Sequence, residues 1–353
     1  MKHARSLTRG VLAGVLVATT VGATAPAVAA TSATKACAWT PAILPMPAGA
    51  LAGDVRATDG SGGYAGTISY GANSAQGSRA TLWKNGTLTD YGYLNVPGYQ
   101  KWVEVLGVNK AGTVVGSAFR TGGLSSAVRS RDGGLERLPE VPGASASRAT
   151  GINDHGDIVG AADVGTGGGS YWKPVIWPAD KPGTVVKLTG LPDSEGFATG
   201  IDQDGTVLID VDKDFSRRPY LWKAGRARAA RLPAGATDVL TRGISNGRFI
   251  GQVTYGSGNG APSVWWDRDG VPRAVARAAD VTGINRDGRI VGRTDDPGWH
   301  EFGVWRSSAL ESTLSYAPDR GLEFAVAGDD GTIAGQSWKI PGGGDEPTVW
   351  TCR

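Results

Sequence analysis

Three aspartates alternate in the segment Asp210-Val211-Asp212-Lys213-Asp214, and an extended chain would present all of them on one side. Such a cluster suits a Ca²⁺ ion or a general acid. As an EF-hand loop it fails, with Phe215 where Gly is required and Leu221 where the bidentate Glu belongs. Asp295, Asp296 and Glu301 form a second acidic group, and a glycosidase would draw a pair of carboxylates from among these residues. Histidine offers less. Beyond the first few residues there are only His155 and His300, and His155 sits in a regular turn phrase. A Ser-His-Asp hydrolase would need His300 with Asp295 or Asp296 and a Ser that no Gly-x-Ser-x-Gly elbow supplies. No pair of His or Cys ligands has the spacing of a zinc site. The residues therefore assign no catalytic group, metal or cofactor.

Aromatic residues make a better case for ligand binding. Seven irregular segments each carry at least one: Tyr70, Phe119, Trp172 with Tyr171, Phe215, Tyr255, Trp299 and Trp338. Trp102 and Tyr99 lie in an eighth. Aromatic faces beside Asp, Asn and Arg are platforms for sugar rings or apolar ligands. The alternative is that these rings fold back over the core.

What must position these segments is a repeat. A phrase of the form Gly-Ile-Asn-x-x-Gly-x-Ile-Val-Gly returns as GVNKAGTVVG from Gly107, GINDHGDIVG from Gly151, GIDQDGTVLI from Gly200, GISNGRFIG from Gly243 and GINRDGRIVG from Gly283. Degenerate copies start at Ala57 and Val326, and the copy at Gly243 is one residue short. Between copies runs an apolar phrase ending in Trp, at Trp83, Trp177, Trp222, Trp265, Trp305 and Trp350, with Arg129 standing in the second unit. A Leu-Pro remnant follows at Leu44, Leu138, Leu191 and Leu232. The period of about 45 residues is the length of one four-stranded propeller blade. Fifty-five Gly and 12 Trp against 6 Phe and 2 Met suit short strands joined by tight turns. The expected fold is an all-β, seven-bladed propeller of antiparallel four-stranded blades.

Each phrase maps onto a strand or turn. Asn153 suits the first position of a type I turn and Gly156 the left-handed position that closes a bulged hairpin. Pro174, Pro219, Pro262 and Pro347 are expected at the start of the third strand, whose Trp fills the space between sheets. Gly116, Gly160, Gly251, Gly292 and Gly335 are expected to allow neighbouring blades to approach. The first segment after the leader, CAWTPAILPMP, resembles a Leu-Pro phrase without its partner, and the last, EPTVWTC, a Trp phrase without its sequel. Joined, they make one unit, so the N- and C-terminal strands should pair and Cys37 should bond Cys352. In the chain-entropy description a loop of about 300 residues contributes roughly 5 kcal/mol at most.

Residues 1–30 read as a secretory signal peptide, with basic Lys2, Arg5 and Arg9, an apolar stretch from Val11 to Val21 and a small-residue site at Ala27-Val28-Ala29. The expected location is extracellular, with residues 31–353 as one domain, and no later segment is long enough to span a membrane. Of 36 Lys and Arg, three sit in the leader, and the remainder balances 33 Asp and Glu. That neutrality excludes a nucleic-acid role resting on a basic surface. A monomer is expected.

The alternation of the Gly-Ile-Asn phrase with an aromatic-rich phrase ending in Trp resembles the extracellular HAF repeat. The His-Ala-Phe of that repeat is replaced here by Pro174-Val175-Ile176, Pro219-Tyr220-Leu221 and Pro262-Ser263-Val264. The resemblance implies a secreted, propeller-like protein and no catalytic residues. Function must come from what is not repeated, because variable loops on a rigid scaffold are where binding resides. The reading is a recognition scaffold for an extracellular glycan, cell-wall polymer or surface protein. The alternatives are a carbohydrate-active hydrolase or lyase using loop carboxylates, and a structural or docking propeller.

Overall fold

A computed structural model describes residues 37–71, 77–166, 169–256, 261–296, 301–314, 320–339 and 342–352. The expected signal peptide lies outside them, as do Trp299 and His300. Seven antiparallel sheets stand in a ring, and the described residues contain no helix. Blades 2 to 7 begin on the inner strands Tyr99–Val108, Ala146–Ile152, Glu195–Ile201, Asp238–Ser245, Ala278–Ile284 and Arg320–Ala327. Blade 1 has a divided inner strand, Ala52–Gly53 and Ala57–Thr58. Trp39–Ile43 is the outer strand of blade 7 and pairs with Asp345–Cys352 in the register Trp39 to Cys352 through Ile43 to Thr348. Cys37 and Cys352 are bonded, their Cα atoms 5.5 Å apart. The ring is closed by backbone pairing and by a covalent staple at the same seam.

Strand alternation gives the ring two faces. One carries the turns between first and second strands and the hairpins between third and fourth. The other carries the second-to-third loops and the crossovers. The turn face is stitched from blade to blade by the repeated phrase. Asn153 folds its own turn, its Oδ1 accepting from the amides of Gly156 and Asp157. Asn109 and Asn285 do the same and also reach across, their Nδ2 groups donating to the carbonyls of Asn153 and Gly328 in the next blade. These side chains are buried and fully used, as interior amides must be.

Blade 5 explains its own short copy. Its turn has only two central residues, Asn246 and Gly247, at φ 53° and 72°. This turn presents N–H groups to blade 4, and there the repeat carries Asp202 in place of Asn. Asp202 accepts from the amides of Asn246 (3.0 Å) and Gly247 (2.5 Å). The deletion and the Asn-to-Asp exchange are thus a matched pair.

Threonine before the Gly-Ile-Asn phrase adds a second stitch that the repeat analysis missed. Thr150, Thr199 and Thr282 occupy or adjoin the bulge of the inner strand, and their hydroxyls contact Ala198 O (2.7 Å), Thr241 Oγ1 (2.7 Å) and Ala325 O (2.6 Å) of the following blade.

The Trp residues fill the space between sheets as expected, and in five blades the ring nitrogen finds the crossover that precedes its blade. Trp83, Trp177, Trp222, Trp266 and Trp305 donate to the carbonyls of Pro45, Pro139, Thr189, Arg231 and Ala276. At Pro45 and Pro139 the acceptor is the proline of the Leu-Pro remnant itself; in the other blades it is another carbonyl of the same crossover. Two expectations slip by one residue, which in a strand exchanges the faces. Trp266, not Trp265, holds the repeat position in blade 5, paired with Phe249. Ser130, not Arg129, holds it in blade 2 and accepts from the amide of Val114.

The prolines and glycines also need correction. Pro174, Pro219 and Pro347 lie within their strands rather than at the start. Their carbonyls accept from Leu188, Ala230 and Leu44, so the missing N–H falls on the side of the outer strand, where the ladder is ending. Gly116, Gly160 and Gly335 do not serve blade-to-blade approach. A Cβ there would meet the carbonyl of their own bulged inner strand at 1.8 to 2.0 Å, at Glu104, Arg148 and Phe324 respectively. Blade-to-blade approach belongs to the first Gly of the phrase: a Cβ on Gly107 would fall 3.3 Å from Gly151 Cα, and one on Gly283 would fall 2.8 Å from Val326 Cα.

Candidate functional site

The aspartates Asp210, Asp212 and Asp214 do not converge. Asp210 is buried on its strand and turned toward blade 5, where it accepts from the Thr241 amide (2.9 Å) and hydroxyl (3.0 Å). Burial pushes its pKa up to about 6. Asp214 is not on the strand at all: it sits at the tip of a hairpin with φ 55°. The three aspartates therefore do not share a side, because the strand ends at Lys213. Asp295 and Glu301 both face Arg277, at 3.4 and 3.9 Å. His155 lies exposed in its turn, as expected. Among the described residues no group of three His, Cys, Asp or Glu is placed to hold a metal, and no helix is long and apolar enough to cross a membrane.

Two regions remain that could receive a ligand. The first is a cavity of about 1000 Å³ on the ring axis, lined by the inner strands of all seven blades. Arg56, Arg148 and Arg242 enter it from blades 1, 3 and 5. Each faces an acid: Arg56 with Asp54 at 2.8 Å, Arg148 with Glu104 at 2.6 Å, Arg242 with Asp280 at 3.7 Å. Arg56 also lies over the Phe324 ring, 5.0 Å from its centroid. Burial raises the pKa of Asp280, and its distant guanidinium only partly offsets this.

The second region is the loop face. Of the eight aromatic residues proposed from sequence, four lean on the blades. Tyr70 packs beside Val55, Ile68 and Trp83. Phe119 is half-buried at the end of its strand. Trp172 packs in a tilted pair with Phe197, their ring centroids 5.4 Å apart. Trp338 covers Gly321, where a Cβ would fall 2.5 Å from its ring nitrogen. Three stand out: Trp102 is 44% exposed, Tyr255 37% and Phe215 99%. Trp299 falls outside the described residues.

Exposure is distributed unevenly between the faces. Among the described residues, the large apolar side chains that remain exposed are Leu51, Val96, Trp102, Leu124, Phe215 and Tyr255 on the loop face, and Ile43 and Val186 on outer strands. None lies on the turn face, whose polar groups are instead consumed in stitching the blades together. Both faces could be assigned from the sequence, because strand alternation follows from the repeat. Which rings fold back could not, since that depends on space above each blade.

No family model matches this chain, and no curated protein matches it in sequence. Solved structures do resemble it in fold. TolB from Acinetobacter baumannii matches with a TM-score of 0.50 at 12% identity over 86% of this chain and 66% of TolB. A prolyl endopeptidase matches at 0.54, 10% identity and 90% of this chain, and Pyrococcus horikoshii acylaminoacyl peptidase at 0.53, 11% identity and 85%. This chain spans about half the length of each of the two peptidases. At these identities the likeness is one of fold: a seven-bladed β-propeller.

Proposed function

We propose that this protein is a secreted recognition propeller of the HAF-repeat kind that binds an extracellular glycan or cell-wall polymer through its loop face. The observation that supports this reading is the division of labour between faces. The turn face spends its polar groups on blade-to-blade hydrogen bonds, while the loop face keeps Trp102, Phe215 and Tyr255 exposed on rigid supports. Aromatic rings on a near-neutral surface favour uncharged sugar faces over polyanions. The placing of the loop carboxylates argues against a glycosidase: Asp210 is buried on Thr241, Asp214 sits at a hairpin tip, and Asp295 and Glu301 both face Arg277.

The test is retention of the protein on insoluble polysaccharides and purified cell walls, with the soluble products of the same incubations analysed by mass spectrometry. Retention without products is expected. Released fragments would make the protein a carbohydrate-active enzyme, and absence of retention on every polymer would leave protein docking as its role.

A further inference from the structure

Among the described residues, five two-residue turns place both central residues in the left-handed region. Four have Gly second: Asn85-Gly86, Asp132-Gly133, Ala224-Gly225 and Asn246-Gly247. The fifth is Asp214-Phe215, at φ 55° and 61°. A bulky residue in this region is strained by roughly 1–2 kcal/mol, which Gly avoids. Phe215 is also the most exposed large apolar side chain among the described residues, at 99%. The chain thus uses Gly at this position wherever the turn is only a turn, and departs from it where the result is an unshielded ring at the outer end of the loop face.

The hairpin that carries Phe215 is braced. Ser216 Oγ donates to Thr237 O, and Arg217 donates from its amide (2.7 Å), Nε (3.1 Å) and an η nitrogen (2.5 Å) to Asp238. The guanidinium of Arg217 keeps the Asp238 carboxyl below its ordinary pKa despite burial. With Arg217 thus neutralised, the remaining charges of the hairpin are Asp212 and Asp214 against Lys213 and Arg218, a balance suited to an uncharged partner. None of Trp102, Phe215 and Tyr255 lines either the axial cavity or the smaller one between blades 2 and 3. A fully exposed ring at a hairpin tip, lining neither of these cavities, cannot enclose a single sugar chain. It can lie against a flat array of chains.

We infer that Phe215 is the anchor of a surface-binding site for insoluble, uncharged polysaccharide, with Trp102 and Tyr255 as further contacts on the same face. This inference rests on the glycan reading above and narrows it: the ligand is a packed polymer surface, not a soluble oligosaccharide.

The test measures depletion from solution onto microcrystalline cellulose and chitin, with soluble hexasaccharides of the same sugars as competitors, alongside thermal unfolding. Phe215→Gly is expected to unfold at a higher temperature than the parent chain while binding at least about tenfold more weakly. Phe215→Ala is expected to lose binding without the gain in stability, because the strain remains. Retention is expected to change little between low and high salt. Undiminished retention of Phe215→Gly, effective competition by hexasaccharides, or association with phosphatidylcholine vesicles instead of polymer would each overturn the inference while leaving other forms of recognition standing. Failure to bind any saccharide, soluble or insoluble, would overturn the glycan reading and this one with it.

Discussion

Asp210 is held protonated over part of the acidic range because its carboxyl is removed from water and the Thr241 donors and the Arg217 charge compensate only in part. Its folded-state pKa of about 6 lies above the ordinary 3.8. The folded chain therefore keeps a proton that the unfolded chain releases, and this group's contribution to stability is greatest below pH 4 and falls as the pH rises through 6. The loss is on the order of 2–3 kcal/mol by pH 7. Asp210→Asn should abolish it. An amide can accept from the Thr241 amide and donate to its hydroxyl, which then donates to Thr199, 2.7 Å away. Denaturant unfolding of both proteins at pH 4 and pH 7 checks this: the variant should gain on the parent chain as the pH rises, and parallel pH profiles would count against it. The same burial that perturbs Asp210 disqualifies it as a surface acid.

At the scale of turns and strands, the matched pair of Asp202 with the short blade 5 turn makes a sharp expectation. Asp202→Asn turns one acceptor into a donor facing the Gly247 amide, and should destabilise the protein by about 1–3 kcal/mol. The opposite case is Asn285→Asp, which keeps the oxygen that folds its own turn but sets a carboxylate against the Gly328 carbonyl. A loss of similar size is expected there. Equal tolerance of Asn and Asp at both positions, measured by urea unfolding, would show that the blade-to-blade stitches carry little energy. Trp177→Phe loses both the bond to Pro139 O and part of the buried indole volume, and a decrease of about 2–3 kcal/mol is expected in the same assay.

For the molecule as a whole, closure has two independent components, a five-residue strand ladder and the Cys37–Cys352 bond. The ladder alone should keep blade 7 assembled. Replacing both cysteines by Ser is therefore expected to leave a folded propeller with a lower melting temperature, the loss being at most about 5 kcal/mol. Circular dichroism and calorimetry, with and without reductant, measure it. A variant that fails to fold would assign closure to the disulfide, and an unchanged melting temperature would assign it to the ladder. Binding to polymer should survive the replacement, since the loop face is mounted on blades 2, 4 and 5 at Trp102, Phe215 and Tyr255, away from the seam.

The period, the strand count of each blade, the closure of the ring and the Cys37–Cys352 pairing were legible in the amino-acid sequence, because a repeat that cannot bury its apolar face alone must stack on its neighbours, and its period fixes what stacks. The turn chemistry of Asn153 and Gly156 was legible for the same reason: it is local. Three things were decided only by the tertiary structure. The one-residue offsets at Trp266 and Ser130 depend on strand register, which adjacent apolar residues leave ambiguous. The role of Gly160 depends on a bulge in the strand beside it. The separation of the loop aromatics into rings that cover the blades and rings that face outward depends on where neighbouring backbone leaves room: Trp338 has the bare surface of Gly321 to lie on, and Phe215, at the tip of a braced hairpin, has nothing above it.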